Sequence, residues 1–85
     1  MTFNEFCEEI INHVIRIDAD FFSMTMYPDI ITQYELVDSV TNNSIQFPPD
    51  CVIVVCNEDL LDEKGFEIYH PDSGKTIYIT ILDNT

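Results

Sequence analysis

The chain has 85 residues, 46% of them hydrophobic and 12% aromatic, with two Gly and four Pro. That suits one small folded domain and excludes a low-complexity segment, a two-domain enzyme or a barrel. Three basic residues stand against sixteen acidic ones, a formal charge of −13. This balance speaks against direct binding to nucleic acid, which needs cations to neutralise phosphates, and against an anionic membrane surface.

Phe3, Phe6, Cys7, Ile10, Ile11, Val14 and Ile15 recur at three- and four-residue steps, with Glu5, Glu8, Glu9, Asn12, His13 and Arg16 opposite. The spacing predicts a helix from about residue 3 to 16, opened by a Thr2–Glu5 capping box. From Ile15 to Phe21 two patterns overlap. Ile10, Val14, Ile17 and Phe21 continue the helical stripe, while Ile15, Ile17, Ala19 and Phe21 alternate as in a strand. The reading favours a helix reaching Asp20, with the strand as its alternative. Pro28-Asp29 reads as a turn.

Ile30–Val37 is either a strand or a short helix capped by Asp29. Asn42-Asn43 suits a two-residue hairpin turn, between a strand ending near Thr41 and Ser44–Phe47. Pro48-Pro49 stops that strand. The run Val52-Ile53-Val54-Val55 between Cys51 and Cys56 has the character of a central strand covered on both faces. Asn57–Lys64 reads as an acidic loop or one helical turn, left at Gly65. Phe66–Tyr69 and Thr76–Leu82 flank a turn-rich His70–Lys75, as two strands of a hairpin. The expected fold is α+β: one domain over residues 1–85, with an N-terminal helix packed on a four- or five-stranded, mainly antiparallel sheet.

Three cysteines without a CxxC pair read as reduced thiols. The opening Met1–Glu5 has no basic region of the kind a signal peptide carries, so a cytoplasmic location is expected. Neither Cys and His spacing nor the acidic segment after Cys56 matches a zinc or EF-hand pattern. No elbow motif or phosphate-cradling Gly loop is present. No cofactor, metal or catalytic residue is therefore expected, and the chain reads as a non-enzyme.

The acid is woven through the chain, eight residues in 1–42 and eight in 43–85. The densest patch is Glu58, Asp59, Asp62 and Glu63. Glu5, Glu8 and Glu9 follow, on one exposed helical ridge with Asn12. These seven are the candidate partner-binding residues, and the expected partner is a basic protein, such as a nuclease or another nucleic-acid-binding protein. In size and composition the chain resembles the small acidic DNA-mimic inhibitors of phages and mobile elements, of the anti-restriction and anti-CRISPR kinds. The resemblance covers no motif and transfers no residue. It implies an inhibitor whose carboxylates occupy a phosphate-binding groove. The alternative is a protein–protein or immunity module with an acidic rim and an apolar anchor drawn from Phe21, Phe22, Met24, Met26 and Tyr27. Oligomeric state is left open.

Overall fold

The computed structural model describes residues 1–58 and 63–82, with the side chains of Asn57, Glu58 and Glu63 set aside. Among these residues one helix, α1 (Phe3–Ile10), is followed by eight strands: β1 (Ile15–Asp18), β2 (Ser23–Met26), β3 (Ile30–Thr32), β4 (Glu35–Asp38), β5 (Asn43–Gln46), β6 (Val52–Glu58), β7 (Glu63–Tyr69) and β8 (Thr76–Ile81). They form a five-stranded sheet ordered β2-β1-β8-β7-β6 and a three-stranded sheet ordered β3-β4-β5. All pairings are antiparallel. The α+β expectation holds, with a second sheet added.

The predicted capping box opens α1. Thr2 Oγ1 accepts the Glu5 N–H at 3.1 Å, and the Glu5 carboxylate accepts the Thr2 N–H at 3.4 Å. Phe6, Cys7 and Ile10 are its buried face. The helix stops well short of residue 16, let alone Asp20. Ile11 is already extended, and Asn12 takes a left-handed backbone at φ 63°, a conformation Asn tolerates better than most residues. The Asn12 N–H then bonds the Pro28 carbonyl at 2.9 Å. Beyond it the alternating pattern wins, because β1 is paired on both sides and buries Ile15 and Ile17 completely. Helical continuation would have given up both ladders.

Two further expectations are corrected. Ile30–Val37 is neither one strand nor a helix; Gln33 and Tyr34, at φ 39° and 68°, make a two-residue turn between β3 and β4. The Tyr34 ring lies 4.8 Å from Phe3, and its carbonyl accepts the Phe47 N–H at 2.8 Å, contacts that hold this uncommon backbone in place. The next turn is Ser39–Asn42, not Asn42-Asn43: β4 ends at Asp38, and Asn43 already pairs with it in β5. The Asp38 carboxylate, accepting the N–H groups of Val40 and Thr41 at 3.0 and 3.3 Å, shapes that turn.

The core joins all three layers. Phe6 meets Phe66 of β7 edge-on at 5.2 Å and Phe47 at 6.0 Å, while Phe3 covers Tyr34 and Phe47. Such pairs add to the area they bury. The central strand is β8, not β6. In β6 Ile53 is buried, but Val52, Val54 and Val55 are 36%, 44% and 43% exposed. Their continuous apolar run marks an edge rather than a strand covered on both faces. Gly65 is no loop exit either; it lies inside β7, opposite Cys56.

Candidate functional site

Of the seven predicted partner-binding residues, Asp59 and Asp62 lie outside the described residues. So do the side chains of Glu58 and Glu63, whose backbones pair at the ends of β6 and β7. Glu5, Glu8 and Glu9 are exposed on α1, but they do not form the predicted ridge with Asn12, which is past the helix end. Glu5 serves the helix cap. The Glu9 carboxylate accepts from Lys64 Nζ at 2.6 Å, tying α1 to β7.

A different set of residues is brought together at one end of the five-stranded sheet. There the β1–β2 turn, the β7–β8 turn and the β5–β6 connection meet. The first presents Phe21 and Phe22 on a tight loop closed by the Ala19 N–H to the Phe22 carbonyl at 2.9 Å. Phe21 is 92% exposed and Phe22 47%. The anchor set predicted from sequence thus divides: Met26 is core and Met24 packs against it, whereas Phe21, Phe22 and Tyr27 face solvent. Phe21 and Phe22 border a cleft of about 180 Å³ whose far wall is Lys75, Thr76 and Ile77. Lys75 and Ile77 also line a neighbouring hollow of about 230 Å³, with Phe47, Pro48, Cys51 and His70 among its other walls.

At the rim of that hollow, His70 Nε2 is 3.0 Å from the Asp50 carboxylate. One ligand atom each from Asp50, His70 and Asp72 lies within 4.8 Å of the others. Sequence reading missed this cluster because Asp50 is twenty residues from His70, and only the β6–β7 hairpin brings them together. Asp72 sits in the β7–β8 turn two residues after His70, and Asp50, His70 and Asp72 together match no metal-motif spacing.

The opposite, solvent-facing side of the sheet carries a third hollow, about 250 Å³, over Gly65. Register places Arg16, Thr80, Gly65 and Cys56 in one row across four strands, and Asp18, Tyr78, Glu67 and Val54 in the next. Asp18 accepts from Ser23 Oγ at 2.8 Å and from Arg16 Nε at 2.9 Å, and these two bonds, Ser23 first, hold its pKa below the usual carboxylate range. Cys7, Cys51 and Cys56 are thiols. Burial pushes Cys7 up to about 11 and raises Cys51 as well, which leaves little thiolate on either at neutral pH.

These arrangements overturn the DNA-mimic reading. The described surface mixes acidic and basic groups: Lys64 on Glu9, Arg16 on Asp18, and a histidine between aspartates at Asp50, His70 and Asp72. It is not a purely acidic surface of the DNA-mimic kind. No helix among the described residues is long and apolar enough to cross a membrane. Comparison with known protein families, with curated proteins and with solved structures gave no match.

Proposed function

We propose that this chain is a non-catalytic protein–protein interaction module, which grips a basic partner protein through an apolar anchor set in acidic surroundings. The observation that carries this reading is Phe21. A phenylalanine left 92% exposed on a loop closed by its own backbone bond gains nothing from the fold, and with Phe22 beside it on the same cleft it makes a contiguous apolar patch of the kind that marks contact sites. Phe22 and the cleft toward Ile77 extend the anchor. Charge supplies the partner's sign: −13 on a body with a radius of gyration of 12.1 Å steers cationic surfaces in and keeps anionic ones away. The three thiols suit a reducing compartment, and the cytoplasm is the proposed location.

The test is capture from cell lysate with the wild-type protein and with a Phe21→Ala, Phe22→Ala double variant, at low and moderately high salt. A protein retained by the wild type and lost by the double variant, and captured more slowly as salt rises, supports the module. Equal retention by both proteins removes the anchor.

A further inference from the structure

We infer that β6 is a strand-addition site for an extended, basic segment of a partner protein. The inference rests on the proposed grip on a basic partner and names a second element that partner engages. β6 is the outermost strand of its sheet, and β7 is its strand partner among the described residues. Seven residues pair with β7 in unbroken register, Val52 with Tyr69 through Glu58 with Glu63. Edges are usually protected by a short strand, a bulge, a proline or charged side chains. β6, Val-Ile-Val-Val-Cys-Asn-Glu, has no bulge or proline, and its one charge, Glu58, stands at its last position. The opposite edge, β2, is protected by its four-residue length and by Pro28 two residues on.

Side chains on both faces of β6 are ready to be covered. Val52 and Val54 lie on the solvent face and Val55 on the core face, each more than a third exposed. A strand added here would continue both faces of the sheet with β-branched residues of its own.

Charge decides between occupants. Asp50 precedes the strand, Glu58 ends it, and Glu67 neighbours Val54 across the ladder. A second copy laid antiparallel over Val52–Cys56, centred on Val54, would bring Asp50 beside the Glu58 position at both ends. Two bodies of charge −13 would meet along that seam. Lysine or arginine at the ends of an incoming segment meets the same positions favourably. The occupant is therefore a cationic β-segment from another protein and not this chain.

The probe is a synthetic peptide of alternating valine and threonine with paired lysines at both ends; its control carries glutamates instead. Amide hydrogen exchange along β6 is followed together with the solution mass. The lysine peptide is expected to slow exchange about tenfold at alternate amides of Val52–Asn57, with the glutamate peptide without effect. No change at β6 under saturating lysine peptide, protection centred on β2 or Phe21, or equal protection by both peptides overturns the assignment. A dimeric mass with β6 already protected in the free protein also overturns it and makes the second copy the occupant. If a partner captured through Phe21 and Phe22 leaves β6 exchange unchanged, strand addition falls while the interaction module stands.

Discussion

The carboxylate of Asp38, at the end of β4, accepts the backbone N–H of Tyr27, eleven residues earlier, at 3.0 Å. Its second oxygen takes the N–H groups of Val40 and Thr41. One side chain, 4% exposed, thus fastens the exit of the five-stranded sheet to the first long turn of the three-stranded one. An asparagine has a single acceptor oxygen and can serve only one side. Asp38→Asn is expected to lower the melting temperature while leaving the helix and strand content intact, read by circular dichroism. An unchanged melting temperature would mean the two sheets are fastened elsewhere.

Acid should act through the same group. Bonds from Tyr27, then from Thr41 and Val40, depress the Asp38 pKa; Ser39 does so for Asp29, through its hydroxyl and its N–H, and Ser23 and Arg16 for Asp18. A carboxylate with a lowered folded pKa adds stability that is fully present above its unfolded value, about 3.9, and lost as pH falls through the folded value. The urea midpoint is expected to fall below about pH 4, and to fall less steeply in Asp38→Asn, which has one such group fewer. Parallel curves for the two proteins would exclude Asp38 as a source.

Salt should work in the other direction. The described ion pairs Lys64–Glu9 and Arg16–Asp18 are exposed, and exposed pairs contribute only about 0–1 kcal/mol each. Repulsion among thirteen unbalanced negative charges is spread over the whole body and is relieved as the Debye length shortens from about 10 Å at 0.1 M to about 3 Å at 1 M. The melting temperature is expected to rise with sodium chloride. A steady fall would mean that the ion pairs outweigh the repulsion.

Phe6 is fully buried at the meeting of α1, β7 and Phe47. Phe6→Ala is expected to cost about 3–5 kcal/mol, a large part of the roughly 5–15 kcal/mol that holds a domain together. Thr2→Ala, which removes the helix cap, is expected to cost about 1 kcal/mol. Urea denaturation separates the two, and a cap variant as damaging as the core variant would contradict the assigned roles.

The parts of the fold legible in the sequence are those decided within a few residues. Thr2 and Glu5 announce the helix start, and the hairpin around His70–Lys75 follows from alternation broken by turn residues, with Gly74 at φ 70° in the turn. Elements settled by distant partners were not legible. Ile15 and Ile17 fit a helix as well as a strand until Ile79 and Ile81 of β8 pair beside them. The apolar run of β6 looks central because composition reports how much a strand could bury and not whether anything lies alongside it. Tyr34 carries no turn signature, since its left-handed backbone is held by Phe3 and Phe47. The candidate site shows the same division. Phe21 and Phe22 stand out in the sequence as anchor candidates because their aromatic and Met cluster lies outside the clearly patterned elements, whereas the approach of Asp50 to His70 requires the completed β6–β7 hairpin. The pairing of Glu9 with Lys64 spans fifty-five residues and was equally hidden.

The order β2-β1-β8-β7-β6 places the last of the described strands in the middle of the sheet. On a ribosome, β1 and β2 emerge early and form their hairpin, yet Ile15 and Ile17 have no second ladder until residues 76–81 have been made. The hairpins and the three-stranded sheet pair strands consecutive in sequence, so it is closure of the five-stranded sheet through β1 and β8 that is uncoupled from synthesis. A nascent polypeptide stalled before β8 holds both halves of the sheet without the strand that joins them, its isoleucines open to chaperones, and assembly of the whole waits on a single late insertion.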